Sequence, residues 1–361
     1  SLTSIGDSAF SDCISLTSIT LPSSLKNIGE GTFSSCTGLT EVDLSNCTNL
    51  TSIGVVAFGS CPNLEELDLS NCTNLTSIGY MAFGYCIGLD SIILPSSLKN
   101  IGEYAFQDCT SLTKVDLSNC ISLEGIGDNA FEACSGLTSI TLPSSLTSIG
   151  SLAFRYCTSL TELDLSNCTN LTSIGSQVFS GCSGLTSITL PSSLTSIGDG
   201  AFQSCRALTE INYNAVSVAD LTFVAIGSSN HVFSYAGQDG DGITVNFGEG
   251  VETIPAYLFY PSVSSSCAPN IKEVNFSSTI TSIGNHAFRD CSGLTSITLP
   301  SSLVSIEDSA FSFCENLISV DLSNCTSLTS IEPYVFTGCT NKLTSITFPN
   351  TTGWYCTENE S

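Results

Sequence analysis

A phenylalanine recurs along the chain every 23 or 25 residues, and this spacing constrains the fold more than any other feature. Such a period is typical of repeat proteins, whose units bury their apolar side chains only against neighbouring units. We therefore predict one elongated array over residues 1–361, instead of the two or three globular domains that length alone suggests. The series is Phe10, Phe33, Phe58, Phe83, Phe106, Phe131, Phe154, Phe179, Phe202, Phe233, Phe259, Phe288, Phe311 and Phe336.

Each repeat opens with alternating apolar and polar residues, which is typical of a strand with one buried face. The 23-residue unit reads LTSITLPSSLTSIG (185–198), and the 25-residue unit reads LTEVDLSNCTNLTSIG (39–54). Pro or Ser-Asn ends this strand. A second pair of apolar residues before Gly, such as Leu194 and Ile197, predicts a short second strand. The Ala-Phe segment predicts a short helical or 3-10 turn. Together these features predict a leucine-rich-repeat solenoid, mainly β, of about 14 turns with a parallel sheet on its concave face.

Two whole units resemble those of one family in particular. SLTSITLPSSLKNIGEGTFSSC (15–36) and GLTSITLPSSLTSIGDGAFQSC (184–205) are similar to the repeats of BspA-like (Treponema pallidum-type) leucine-rich-repeat proteins. The resemblance covers nearly the whole chain. It implies a secreted or cell-surface protein that mediates adhesion and contact with a host, and it implies no particular ligand. Because the chain starts in mid-repeat at Ser1, we expect it to be a fragment or mature part of a longer protein.

The charge balance excludes several classes of partner. The chain has 33 acidic and 8 basic residues, a formal net charge of −25. Nucleic acids and anionic membranes are bound through Lys and Arg, so neither is an expected partner. No run approaches the roughly 20 apolar residues of a membrane span. The negative charge is interpreted as a source of solubility, with binding of cations or of a basic partner as the alternative.

Residues 207–280 are irregular, because the Phe spacing there lengthens to 31, 26 and 29 residues. Strand-like cores persist, so we predict longer turns with insertions and not a separate domain. Long loops on a rigid scaffold often carry function. Tyr213, His231, Tyr235 and Tyr257 are therefore candidate ligand-binding residues. The alternative is that these repeats have drifted under weak constraint.

The outward face of the predicted sheet is the other candidate surface. It is rich in hydroxyl groups, and some strands add pairs of acidic side chains. Such a surface suits a basic protein segment or a glycan. It lacks the Trp, Tyr and Arg anchors of a tight interface, so a merely solvated face is the alternative. The candidate residues are Glu41, Asp43, Glu66, Asp68, Asp116, Glu162 and Asp164.

The 19 cysteines follow the repeat. Twelve lie three residues after a repeat Phe, and five lie in Ser-Asn-Cys, where a leucine-rich repeat carries an inward Asn or Cys that donates to the neighbouring turn. No two are spaced as C-x-x-C, and the chain has two histidines, so no metal site is predicted. We expect small buried thiols, and disulfides between neighbouring turns remain open.

Catalytic motifs are missing from the sequence. There is no phosphate loop, no His-Glu-x-x-His and no Gly-x-Ser-x-Gly, and no motif brings a nucleophile to His231 or His286. The string QDGDG (238–242) resembles half of a calcium-binding loop, but the further oxygen ligands of such a loop are not in register. A turn is therefore predicted at these residues. We therefore predict no enzymatic activity and no cofactor.

These observations favour an extracellular or cell-surface scaffold that binds a protein or glycan of a host or matrix. A structural spacer that presents other domains of a larger surface protein is the alternative. A hydrolase or lectin site around His231 is a third hypothesis.

Overall fold

The computed structural model describes residues 2–221, 231–261, 265–339 and 342–349. Within these ranges the chain coils into successive turns that place parallel strands in two rows. The long row consists of β2 (Ser18–Thr20), β4 (Glu41–Asp43), β6 (Glu66–Asp68), β8 (Ser91–Ile93), β10 (Lys114–Asp116), β12 (Ser139–Thr141), β14 (Glu162–Asp164), β16 (Ser187–Leu190), β18 (Glu210–Tyr213), β19 (Ile243–Phe247), β21 (Ile271–Asn275), β23 (Ser296–Thr298), β25 (Ser319–Asp321) and β27 (Ser345–Thr347). The short row consists of β1 (Ser4–Ile5), β3 (Asn27–Ile28), β5 (Ser52–Ile53), β7 (Ser77–Ile78), β9 (Asn100–Ile101), β11 (Gly125–Ile126), β13 (Ser148–Ile149), β15 (Ser173–Ile174), β17 (Ser196–Ile197), β20 (Thr253–Ile254), β22 (Ser282–Ile283), β24 (Ser305–Ile306) and β26 (Ser330–Ile331).

The register keeps equivalent repeat positions side by side. Ile19 pairs with Val42 in the long row, and Ile28 pairs with Ile53 in the short row, so apolar side chains form continuous inward columns. In the irregular segment, β18 pairs with β16 before it and β19 pairs with β21 after it. The predicted solenoid, mainly β with a parallel sheet and short second strands, is confirmed.

The Ala-Phe segments differ in detail from the expected helical or 3-10 turns. In the first of them, Ser8 and Asp12 have left-handed φ angles of 54° and 59°, which interrupt any regular helix. The backbone N–H of Phe10 instead donates to the carbonyl of Thr32, one turn further on, at 2.8 Å. These segments are therefore hydrogen-bonded turns stacked on one another. Among the described residues the one helix is a 3-10 turn at Ser265–Cys267.

The repeat phenylalanines fill the interior as one stack. From Phe10 to Phe202 neighbouring ring centroids are 5.1 to 5.6 Å apart, with interplanar angles of 13° or less. In the irregular segment the ring of Phe259 tilts by 30° from Phe233 and by 25° from Phe288. The stack runs on through the longer turns, so the core there is continuous with the regular core.

The cysteines are part of this core. All 18 described cysteines are free thiols, and all but Cys13 are buried. The thiol of Cys134 donates to the carbonyl of Phe106 at 3.2 Å, and the thiol of Cys47 donates to the carbonyl of Leu21 at 3.4 Å. Burial raises the pKa of Cys182 to about 12. The prediction of inward thiols that donate to the neighbouring turn is confirmed.

Candidate binding surfaces

The acidic strip on the long row, defined by the seven residues predicted above, divides into two chemical groups. Glu41, Glu66 and Glu162 are exposed at the outward position where each strand begins. The aspartates end their strands, and each accepts a hydrogen bond from the backbone N–H two residues later, at 2.8 to 3.1 Å. Each bond gives a partner to a backbone N–H just beyond the end of the strand, where strand pairing has stopped. The aspartates therefore have a structural role. The aspartates of the strip are Asp43, Asp68, Asp116 and Asp164, and Asp321 on a later turn accepts the same bond.

Removal of one such carboxylate predicts a small loss of stability. The Ser118 hydroxyl and backbone N–H lower the pKa of Asp116. The charged form therefore stabilises the fold above the ordinary aspartate pKa of about 3.9, and this contribution is lost as the pH falls through the lowered value. Because the carboxylate is largely exposed, Asp116→Ala is expected to cost about 0.5–1 kcal/mol at pH 7. Urea denaturation at pH 7 and pH 3 measures this loss.

Asp116→Asn is the matched control, because its side-chain oxygen still accepts the bond but carries no charge. It is expected to retain most of the stability at pH 7 and to lose the pH dependence of this site. An alanine variant as stable as the parent at pH 7 would show that the bond contributes nothing. Glu66→Ala, which removes a carboxylate on the same face, is expected to be neutral.

The acidic strip has few side chains arranged to bind a partner. Its glutamates lie on two adjacent turns, at Glu41 and Glu66, and on one separate turn, at Glu162. Lys114 pairs only weakly with Asp116, at 3.8 Å between exposed groups. Ligand binding by Glu41, Glu66 and Glu162 therefore stays a prediction. The aspartates are accounted for without a ligand.

Tyr213 does not contact solvent, so the structure does not support its predicted role in ligand binding. It pairs with Leu190 in register and therefore fills the inward position that leucine holds in regular turns. Its side chain is fully buried, and its ring lies 5.4 Å from that of Phe247. Burial raises the pKa of its hydroxyl well above the ordinary value. Tyr213 belongs to the core.

His231 is also buried, so the structure does not support its predicted role in ligand contact either. It is 3% exposed, and the ring of Tyr260 meets it edge-on with centroids 5.4 Å apart. Burial lowers the pKa of the imidazole, which keeps the ring neutral near pH 7. The structure therefore gives no support to a hydrolase or lectin site around His231.

Tyr235 and Tyr257 are half-buried at the surface of the Phe turns. The hydroxyl of Tyr235 accepts a hydrogen bond from the thiol of Cys267 at 2.9 Å. Tyr257 stacks on His286 with centroids 5.0 Å apart and planes within 14°. Both tyrosines have left-handed φ angles of 61°. Tyr257 shares this geometry and its repeat position, two residues before the core Phe, with His286.

Five side chains form an aromatic patch on the outer surface of three successive Phe turns: Tyr257, Tyr260, His286, Arg289 and Phe313. The guanidinium of Arg289 lies 5.5 Å from the ring centre of Tyr260 and 4.9 Å from that of Phe313. Tyr260 also meets Tyr257 and His286 edge-on, at 5.5 and 5.7 Å. The patch therefore combines stacked rings with a cation.

Charge in the aromatic patch is partly balanced. Nε of Arg289 lies 3.3 Å from a carboxylate oxygen of Asp290. Burial, and then the charge of Arg289, hold the pKa of His286 below its usual value, so this ring is neutral near pH 7. Arg289 is thus the cationic centre of a largely uncharged aromatic surface.

Sequence reasoning singled out only Tyr257 of this patch. It considered His286 only in the search for catalytic motifs and did not identify Arg289 or Phe313 as functional. The usable signal is the repeat itself, because positions two before, one after and two after the core Phe share one surface. Aligning these positions across turns brings the five residues together.

Comparisons with known proteins agree with this architecture. The chain matches the BspA type leucine-rich-repeat region, in six copies, over residues 1–113, 51–170, 110–225 and 252–359. Among curated proteins, none matches the chain significantly. Among solved structures, a leucine-rich repeat protein from Bacteroides ovatus shares 26% identity with a TM-score of 0.51, over 94% of this chain and 81% of that one.

A second solved structure, the T. pallidum leucine-rich repeat protein, shares 27% identity with a TM-score of 0.32, over 57% of this chain and 72% of that one.

Within the described ranges no helix is long and apolar enough to cross a membrane. In the same ranges no three His, Cys, Asp or Glu side chains are grouped to hold a metal ion. The repeat match spans both the regular turns and the turns that carry the aromatic patch, and the chain belongs to the BspA-type leucine-rich-repeat family.

Proposed function

We propose that the protein is an extracellular or cell-surface scaffold that binds a protein partner through the aromatic patch. The observation that supports this best is the contact of Tyr260, His286 and Arg289 with one another and with two more rings at the surface. Tyr and Arg are enriched among the residues that dominate binding energy at interfaces. The family resemblance favours the extracellular location and an adhesive role.

Solvent exposure in the patch also supports this proposal. Phe313 is 38% exposed, and the side chain of Arg289 is 30% exposed. An aromatic ring and a guanidinium that are already packed against neighbours lose little conformational entropy when a partner covers them. A partner surface that offers carboxylates to Arg289 and apolar side chains to the rings fits this chemistry.

The regular turns support a second role as a rigid spacer. The Thr side chains just before their long-row strands bond to the backbone of the preceding turn, as when Thr138 and Thr186 donate to carbonyls one turn earlier, at 3.0 and 2.9 Å. Their aspartates cap strand ends. Such a face has few groups left to bind a partner. We infer that the turns before the irregular segment hold the aromatic patch at a distance, which combines the scaffold with the spacer alternative.

The binding proposal is tested with the whole chain against a panel of immobilised host extracellular-matrix proteins. The double variant Tyr260→Ser/Arg289→Ala is expected to bind at least about tenfold more weakly, because truncation of a hot-spot residue costs about 2 kcal/mol. Surface plasmon resonance gives the dissociation constants, and circular dichroism checks that the fold is retained.

Arg155→Ala/Tyr156→Ser is the matched control. Arg155 also follows a core Phe directly, and its guanidinium lies 4.4 Å from the ring of Tyr156. This control is expected to bind as the parent does, because the pair lies on a regular turn without the other rings. Equal affinity of the patch variant and the parent for every partner that binds would refute the proposal.

A further inference from the structure

A groove of about 530 Å³ opens where the strands β21, β23 and β25 end. It lies on a different side of the repeat from the aromatic patch, which is on the Phe turns. Phe276, Leu299 and Pro300 provide its apolar wall, and Thr298, Ser301 and Asn324 contribute polar groups. The groove is a shallow depression that is largely open to solvent, so a ligand would be held on one side only.

The groove results from a change of residue size in one inward column. This column carries leucine in regular turns, but Tyr213, Phe247 and Phe276 fill it in the irregular segment. In the next turn it returns to a leucine, Leu299, while β21 and β23 belong to separate sheets. The ring of Phe276 therefore remains half-buried beside a smaller neighbour. The step from aromatic to leucine leaves space at the ends of the strands.

Ser277 and Ser278 of the lining bond to Thr279 and Glu249, but three other polar side chains of the groove do not bond to the described part of the protein. Among the described residues, none bonds to the side chains of Thr298, Ser301 and Asn324, which are exposed. All ten lining residues are uncharged. A hydroxyl or an amide can both donate and accept, so such a lining suits a neutral ligand with many hydroxyl groups.

Two earlier turns carry a side-chain hydrogen bond at the equivalent position. Asn49 donates from its side chain to the carbonyl of Ser23 at 2.9 Å, and Asn170 donates to the carbonyl of Ser144 at 3.0 Å. These carbonyls correspond to that of Ser301. The residue equivalent to Asn49 is here Ser327. Its side chain is too short to donate a hydrogen bond to the Ser301 carbonyl. This one side-chain bond is thus missing at the groove, although the thiol of Cys325 still donates to the carbonyls of Leu299 and Pro300.

We propose that this groove binds a neutral oligosaccharide. A sugar ring offers hydroxyl groups to Thr298, Ser301 and Asn324 and apolar C–H faces to the wall. Acidic groups at the rim exclude anionic sugars: the carboxylate of Glu249 accepts from the Ser278 hydroxyl at 3.1 Å, and Asp321 accepts from the backbone of Ser323 at 2.8 Å. With a chain charge of −25, a sialylated or sulfated glycan would be repelled.

Saturation-transfer NMR on the whole chain tests the proposal. The probes are a β-linked glucose tetramer, an α-linked mannose tetramer and N-acetyllactosamine, with sialylated N-acetyllactosamine as the anionic comparison. At least one neutral probe is expected to receive saturation, and the sialylated probe is not. Thr298→Ala/Asn324→Ala is expected to weaken binding at least about tenfold, because two exposed hydrogen-bonding groups are lost.

Two further variants keep the result interpretable. Thr141→Ala/Asn167→Ala changes the same residue types at equivalent positions of a regular turn, and it is expected to bind as the parent does. Ser327→Asn is expected to restore the bond to the Ser301 carbonyl and to abolish sugar binding without any change in the lining. The absence of saturation transfer to every neutral probe at millimolar concentration would overturn the proposal. So would binding that all three variants leave unchanged, or binding of the sialylated probe alone.

Discussion

Phe131→Ala is expected to destabilise the protein by about 3–5 kcal/mol, the range for removal of a buried phenylalanine. Phe131 is fully buried near the middle of the stack, with its ring centroid 5.2 Å from those of both Phe106 and Phe154. Each turn of a solenoid is stabilised mainly by its neighbours, so this change also weakens the coupling between the two halves. Urea denaturation followed by circular dichroism should show a lower midpoint and a broader or split transition.

Phe10→Ala is the matched control. Phe10 is 38% exposed and has one ring neighbour in the stack, Phe33. Its loss is expected to cost about 1–2 kcal/mol, because less apolar area returns to water, and to leave a single transition. Equal costs for the two alanine variants would contradict the account of the stack.

Alkaline pH is expected to unfold the protein cooperatively between about pH 9 and 11. Burial raises the pKa of Cys61 and Cys182 to about 12, whereas the ordinary value is 9.0. A raised folded pKa contributes stability that is complete below the unfolded pKa and is lost as the pH rises towards the folded pKa. Each such thiol therefore costs about 1.4 kcal/mol per pH unit in this window. Because many buried thiols act together, the free energy of unfolding should fall steeply.

The measurement is urea denaturation at pH 8, 9 and 10 in the presence of a reductant. Cys182→Ala separates the thiol effect from general charge repulsion, because it removes one titrating group and leaves the other charges. Its stability is expected to fall less steeply with pH than that of the parent, by about 1.4 kcal/mol per pH unit. A parent protein as stable at pH 10 as at pH 8 would contradict this role of the thiols.

The sequence was sufficient to predict the repeat architecture, because each inward column follows from local alternation. Leu185, Ile188 and Leu190 lie at the buried positions that the pattern predicts. The inward thiols were also predictable, since their spacing ties them to the repeat. The left-handed residues of the Phe turns were not, because serine, tyrosine and aspartate all occupy these positions and only the turn-to-turn bonds require that conformation.

The candidate site was less predictable. Tyr213 and His231 drew attention as unusual residues, but a rare residue type does not reveal which way its side chain points. Tyr213 continues a leucine column, which its register with Leu190 shows. Arg289 and Phe313 come from different turns, and their contact depends on how the turns stack. Such contacts between turns are not encoded in the spacing of a single repeat.

The most direct test of the central claim is a contact map of the bound partner. A matrix protein that binds the chain is cross-linked to it by a photoreactive group, and mass spectrometry identifies the cross-linked residues. Cross-links at residues 257–313, centred on Arg289, are the predicted result. Cross-links confined to the acidic strip, between residues 41 and 164, would contradict the claim that the aromatic patch is the binding surface.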